Sequence, residues 1–235
     1  MAKHPMIEEV LFPPFEGFPP EALTFLQRLK KNNNRPWFQA HKEEYEERVR
    51  FPMQCLIATL GRLLGDAAPE FEFHPKRSIY RIYRDVRFSK NKAPYKTNVA
   101  ATFAMRSRNS QGELPGLYVG IHPPEIFIGG GIYMPSGPQL KAIRAAIVKD
   151  PDPFLEIVAG KQFKKKFGEI EGERLQKAPL GYPKDHPLIA YLRLKQFYAG
   201  ATLKDSACFR PAFARTTAGI LEDVLPFVRW LAHAV

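Results

Sequence analysis

With 235 residues, 45% of them hydrophobic and 25% charged, the chain holds enough apolar material for a buried core and too much for a disordered one. Cys55 and Cys208 are its two cysteines, far apart and outside any C-x-x-C spacing, which excludes a disulfide scaffold and a zinc module and leaves two buried free thiols. Of the net charge of +11, residues 73–112 supply +9, from ten basic residues against the single acid Asp85.

The N-terminal stretch MAKHPMIEEV has no apolar core of the kind a secretory signal carries, and no run is long enough to span a bilayer, so a cytoplasmic protein without a membrane partner is expected. The first helix is predicted in FPPEALTFLQRLKKNNN, entered through proline, with Leu23, Leu26 and Leu29 on its apolar stripe. Asn34 is placed to cap a second helix with Pro36 in its first turn. That helix puts Trp37, His41, Tyr45 and Arg48 on one face, with Trp37 as a core anchor. A third helix is expected from Met53 to Leu64.

The middle third changes period. SIYRIYRDVRF alternates as a strand does, with Tyr80, Ile82, Val86 and Phe88 on an apolar face broken by Arg84, and Arg81, Tyr83, Asp85 and Arg87 on the other. On this pattern Tyr80 and Phe88 belong to the core. Pro94 pushes Ala93 towards extended backbone. TNVAATFAM, GLYVGI and EIFIGGGIY read as three more strands, after a loop over RSRNSQGELPG and around a tight HPP turn. Short connections favour an antiparallel sheet of about four strands.

The last third reads as helices: PQLKAIRAAIVKD behind Ser136 or Gly137, then PDPFLEIVAG, LIAYLRLKQFYAG and TTAGILEDVLPFVRWLAHAV, with the proline-rich connection QKAPLGYPKDHP between. The architecture expected is a single α+β domain over residues 1–235: helical over 18–65, sheet over 76–134, helical again over 138–235.

The stretch RDVRFSKNKAPYK, residues 84–96, concentrates the chemistry. Arg81 and Arg87 flank Asp85, and one carboxylate cannot neutralise so many cations. The pattern points to an anion-binding site built from Arg81, Arg84, Asp85, Arg87, Ser89, Lys90, Lys92, Tyr95 and Lys96. Asp85 orients guanidinium groups suited to bidentate phosphate recognition, lysines add point charge, and Tyr95 offers a hydroxyl donor. The ligand expected is a phosphate-bearing molecule, a nucleotide or a nucleic acid. Tyr80, Tyr83, Phe88 and Tyr95 interleave with the cations, as in single-strand binders, but no helix-turn-helix, zinc-finger or RNP motif accompanies them.

Two other readings stand beside this one. The cluster is a clamp for an enzyme's anionic substrate, or it is a structural network consumed by carboxylates such as Glu43, Glu44, Glu46 or Glu47. No catalytic residue and no cofactor is identified. Ser89 has no base, and Asp85 beside arginines is too acidic for a general acid. Among His4, His41, His74, His122, His186 and His233 there is no metal-ligand spacing, so no metal site is assigned. The Gly129–Gly131 run lacks the phosphate-loop spacing and marks a bulge or a close backbone approach.

Several blocks carry a resemblance. FLQRLKKNNNRPWFQAHKEEYEERV, IYRIYRDVRFSKNKAPYKTN, IGGGIYMP with a following L-x-x-I-R, and PLGYPKDHPLIAYLRLKQF together resemble the bacterial and fungal domain of unknown function 2461 family. The resemblance runs over nearly the whole chain. It implies a single domain of this length and brings no activity, cofactor or partner with it. In the family pattern an acid stands between two lysines, as S-K-D-K, where this chain has Asn91. A role that survives that substitution is binding or structural rather than acid–base.

Overall fold

The computed structural model describes residues 12–105 and 114–235. Arg106 and Arg108, most of the predicted 106–116 loop, and the N-terminal stretch with His4 lie outside the described residues. The described residues form helices and a four-stranded antiparallel sheet, so the expected α+β class holds. The strands are β1 (Val99–Ala104), β2 (Gly116–His122), β3 (Glu125–Ile132) and β4 (Phe197–Lys204), hydrogen-bonded in the order β1-β2-β3-β4. β2 and β3 are joined at Pro123 and Pro124, the expected tight turn.

The membership of the sheet differs from expectation at both ends. The predicted strand in SIYRIYRDVRF does not form, and its place among the four is taken by β4 from the region expected to be helical. The helix expected over LIAYLRLKQFYAG stops after one turn, Ile189–Leu192, and the chain re-enters the sheet at Phe197. Phe197 and Ala199 are buried while Tyr198 is half-buried, a period of two that a helix cannot satisfy.

The chain divides into two compact units. One comprises Met1–Phe103, Tyr118–Ile128 and Thr202–Gly219; the other comprises Ala104–Leu117, Gly129–Ala201 and Ile220–Val235.

In the first unit, α1 (Pro20–Lys31) begins at a proline and buries the predicted Leu23, Leu26 and Leu29 together with Ala22 and Phe25. Arg28, Lys30 and Lys31 fall in its last turn, where the helix dipole favours cations. The second predicted helix is a chain of short pieces, α2 (Arg35–Ala40), α3 (Lys42–Tyr45) and a π-turn over Glu46–Arg50, which runs directly into the expected third helix, α4 (Phe51–Leu64). Trp37 stacks on His41 at 4.1 Å and lies 5.6 Å from Phe25, half-buried rather than enclosed. The Asn34 side chain accepts the Trp37 N–H at 3.0 Å, the predicted N-cap. Asn34→Ala is expected to lower the unfolding free energy by about 1 kcal/mol, read from denaturant melts. No loss at all would mean that water serves that N–H equally well.

In the second unit, α5 (Gly137–Lys149) starts with a full capping box. Ser136 accepts the Gln139 N–H, and the Gln139 side chain accepts the Ser136 N–H at 2.9 Å. Arg144 on α5 donates to the carbonyls of Leu192 at 2.7 Å and Leu194 at 3.1 Å, which holds the chain where the short helix α8 (Ile189–Leu192) ends. Between them run α6 (Pro151–Val158) and α7 (Lys161–Phe167). Phe154 and Phe163 meet Trp230 and Phe227 of the last helix, α9 (Ala212–Ala234).

The Gly129–Gly131 run is a close backbone approach, one of the two forms expected of it. A Cβ on Gly129 would come within 2.7 Å of the Gly200 Cα, and one on Gly131 within 2.5 Å of the Tyr198 Cα. Gly131 also has φ +141°, a conformation that L side chains rarely adopt. The glycines let β4 lie against β3.

Candidate anion-binding site

Residues 78–96 form an irregular extended ribbon in the first unit. Ile79 bridges Ala101 and Tyr83 bridges Tyr95, both antiparallel. Four residue steps separate Ile79 from Tyr83, but six separate Tyr95 from Ala101. The two pairings are therefore two residues out of register, and the chain bends at Thr97 and Asn98 to absorb the surplus. Pro94, without an N–H, cannot continue the ladder past the second bridge. These are the reasons the alternating pattern of 78–88 does not become a strand.

Beyond Tyr83 the chain closes on itself. The Arg84 N–H donates to the Pro94 carbonyl at 2.9 Å, and the Lys96 N–H to the Ile82 carbonyl at 2.8 Å. The result is a compact loop with its ends together, a form often used for function. Its foot is fixed by Tyr95, 1% exposed and stacked 4.2 Å from Phe38. Asn33, between α1 and α2, clamps that residue from both sides. Its amide donates to the Tyr95 carbonyl at 2.9 Å and accepts the Tyr95 N–H at 3.0 Å. Tyr95 is thus a core anchor, and the structure does not bring its ring to the surface with the cations.

The six cations of the loop and its stem have different partners. Arg87 grips Asp85 through two nitrogens, Nη2 to Oδ2 at 2.7 Å and Nε to Oδ1 at 3.1 Å. Asp85 Oδ1 also accepts the Arg87 backbone N–H at 3.2 Å. Arg84 donates to the Ala93 carbonyl at 3.2 Å, and Lys92 to the Val86 carbonyl at 3.0 Å. Lys96 lies 4.8 Å from the centre of the Tyr80 ring. Its ammonium is held below the ordinary lysine range by burial and by the nearby charge of Arg81. Arg81 and Lys90 are exposed, and neither donates a hydrogen bond to another described residue. Ser89 is half-buried in the loop, its N–H 3.4 Å from the Val86 carbonyl.

Of the four carboxylates that sequence reading offered as neutralisers, two go elsewhere, and Glu43 and Glu47 pair with none of the loop's cations. Glu44 pairs with Arg28 and Glu46 with Arg50, each at 2.8 Å. Among the described residues Asp85 is the one carboxylate that meets the loop's cations. Arg84 and Lys92 brace the loop through neutral carbonyls, which orders those side chains without cancelling their charge.

The side-chain hydrogen bond from Arg87, then its backbone N–H, hold the Asp85 carboxyl below the ordinary aspartate range. The folded value is depressed, so the pair contributes stability above the unfolded value of about 3.9 and loses it as pH falls through the folded one. Carboxyl chemical shifts followed against pH are expected to give Asp85 a midpoint below about 3.9, rising to the ordinary value in Arg87→Ala. A normal midpoint in the unaltered protein would mean that the clamp does not persist in solution.

Two aromatics assigned to the core are instead on the surface. Phe88 is 95% exposed and Tyr80 45% exposed, while Tyr83 is 48% exposed. Only Ile82 of the predicted apolar face is fully buried, because the ribbon lacks the regular pleat that would turn its alternate residues to one side.

Sequence reading missed Asn33, which looked like a helix terminator and is also the clamp on Tyr95. It weighed His122 only as a metal ligand and missed its pairing with Tyr118, whose side chain hydrogen-bonds that of His122 at 2.8 Å across Gly120 on β2. Burial pushes the His122 imidazole below the ordinary histidine range. The period of two, Y-x-G-x-H, was the available signal.

The family described as a conserved hypothetical protein, DUF2461, matches residues 21–230. The chain belongs to the DUF2461 family. No curated protein and no solved structure matches it. Within this DUF2461 protein, the position expected to hold an acid is Asn91, whose Oδ1 accepts the Ala93 N–H at 2.9 Å. An aspartate would present the same oxygen to the same N–H. The substitution keeps the turn and removes a negative charge from the loop.

Proposed function

We propose that this DUF2461 protein is an anion-binding domain that takes a phosphate-bearing ligand on the loop and stem of residues 81–96. One observation carries the reading. Six cations are gathered there, one of them meets a carboxylate, and the flanking glutamates Glu44 and Glu46 are engaged with Arg28 and Arg50. A purely structural network would spend those carboxylates on the loop. Arg84, Lys92 and the Asp85–Arg87 clamp shape the loop, and Arg81 and Lys90 are the exposed charges left for a ligand. Bidentate guanidinium and point-charge ammonium groups suit phosphate oxygens.

The setting is a reducing, cytoplasmic one. Cys55 and Cys208 are both buried and free. Burial pushes both thiols up, that of Cys208 to about 12, which leaves little thiolate to react. Among the described residues no helix is long and apolar enough to cross a membrane.

The test is a titration of the full chain with labelled polyphosphate and labelled oligonucleotide at several salt concentrations. Binding is expected at low salt, with log K falling linearly against log salt. If neither polyanion binds at low salt, the reading fails.

A further inference from the structure

We infer that the anion is a single-stranded nucleic acid, held through its bases as well as its phosphates. This rests on the anion-binding reading above and adds the recognition of bases to it. Residues 80–96 carry three surface rings, Tyr80, Tyr83 and Phe88, at 45%, 48% and 95% exposure. They interleave with Arg81, Arg84, Arg87 and Lys90 along one ribbon. A folded protein loses free energy by leaving a phenylalanine almost wholly in water, roughly 25 cal/mol for each Å² of apolar surface. A ligand with flat apolar faces would recover it.

The local geometry suits such a ligand. The Arg87 guanidinium carbon lies 5.8 Å from the Phe88 ring centre, so the clamp that shapes the loop also stands beside the ring that would meet a base. Tyr83 is backed by Tyr95 at 5.5 Å and Phe38 at 6.5 Å, which steadies the ring while half of it faces solvent. Tyr80 is fixed by a hydrogen bond between its hydroxyl and Thr102 at 2.7 Å, with Lys96 over the ring. Rings on a cationic track bind unpaired bases irrespective of sequence, because every base has a π-face.

A duplex fits less well, since its bases already stack on one another and the loop presents no helix or regular two-stranded ribbon to a groove. An anionic membrane is also disfavoured. Phe88 is the one nearly fully exposed ring of the loop, Arg87 and Ser89 flank it, and a single ring is a weak anchor.

The experiment compares Phe88→Ala with the unaltered full chain. The probes are a thymidine homo-oligonucleotide, polyphosphate of matched length, the same oligonucleotide in duplex form, and phosphatidylserine vesicles. Exposure of the ring means that its removal leaves the fold intact, which circular dichroism verifies. The expected result is an oligonucleotide affinity lowered about tenfold or more, with a far smaller effect on polyphosphate and the salt slope unchanged. Equal and Phe88-independent binding of oligonucleotide and polyphosphate overturns this inference and leaves the anion reading standing. Preference for duplex, or Phe88-dependent binding of vesicles without oligonucleotide, also overturns it. Failure to bind any of the four overturns both.

Discussion

Reversing Arg81 and Lys90 together to glutamate is expected to lower the affinity for single-stranded oligonucleotide and for polyphosphate on the order of a hundredfold at low salt. Two attractive charges are lost and two repulsive ones replace them, in a segment that holds six cations and one acid. If both side chains meet phosphates, the slope of log K against log salt becomes shallower by about 1.4 for a single strand. Both residues are exposed and donate no hydrogen bond to a described residue, so the double variant should unfold within about 0.5 kcal/mol of the original. That control is the reason to choose them. Reversal of Arg87 and Lys92 would break the Asp85 clamp and the bond to the Val86 carbonyl, and a loss of binding would then mix charge with disorder of the loop. Unchanged affinity in the Arg81 and Lys90 variant would move the ligand away from this loop altogether.

The largest effect on stability is expected at Gly131. Gly131→Ala must relieve an overlap with the backbone of Phe197 and Tyr198 and also hold φ near +141°. Overpacking and a disallowed conformation together cost about 3 kcal/mol or more. For a chain of this size that is a fall in melting temperature of about 6 °C or more, measured by calorimetry. Gly120→Ala is the useful contrast. The atoms it would meet are the ends of the Tyr118 and His122 side chains, which can rotate aside, whereas β4's backbone cannot. A mild effect at Gly131, comparable with that at Gly120, would mean that β4 does not lie as close to β3 as described.

Several features of this protein were legible because their causes are local. Asn34 caps α2 and Ser136 caps α5 through atoms three residues away, so the helix starts could be read from short words of sequence. The burial of Leu23, Leu26 and Leu29 follows from their spacing on one helix. The concentration of charge in 73–112 needs only counting. The Asp85–Arg87 pairing was likewise within reach, since the two residues are two positions apart.

What the sequence by itself determined, then, is the class of the fold, the starts of several helices, and the presence of an under-neutralised cationic segment. Tertiary structure alone decided which strands pair, which rings are buried and which carboxylates are taken. The alternation in SIYRIYRDVRF specified a strand, but a strand needs a partner in register, and the two extra residues between Tyr95 and Ala101 deny it one. The same irregularity sends Phe88 and Tyr80 outward while Asn33 and Phe38 draw Tyr95 in. β4 exists because Gly129 and Gly131, some seventy residues earlier, leave room for its backbone. Glu44 and Glu46 pair with Arg28 and Arg50 and not with the loop. Hydrogen-bond registry, burial and the pairing of Glu44 with Arg28 each depend on atoms that only folding brings together, and a pattern read along the chain has no access to them.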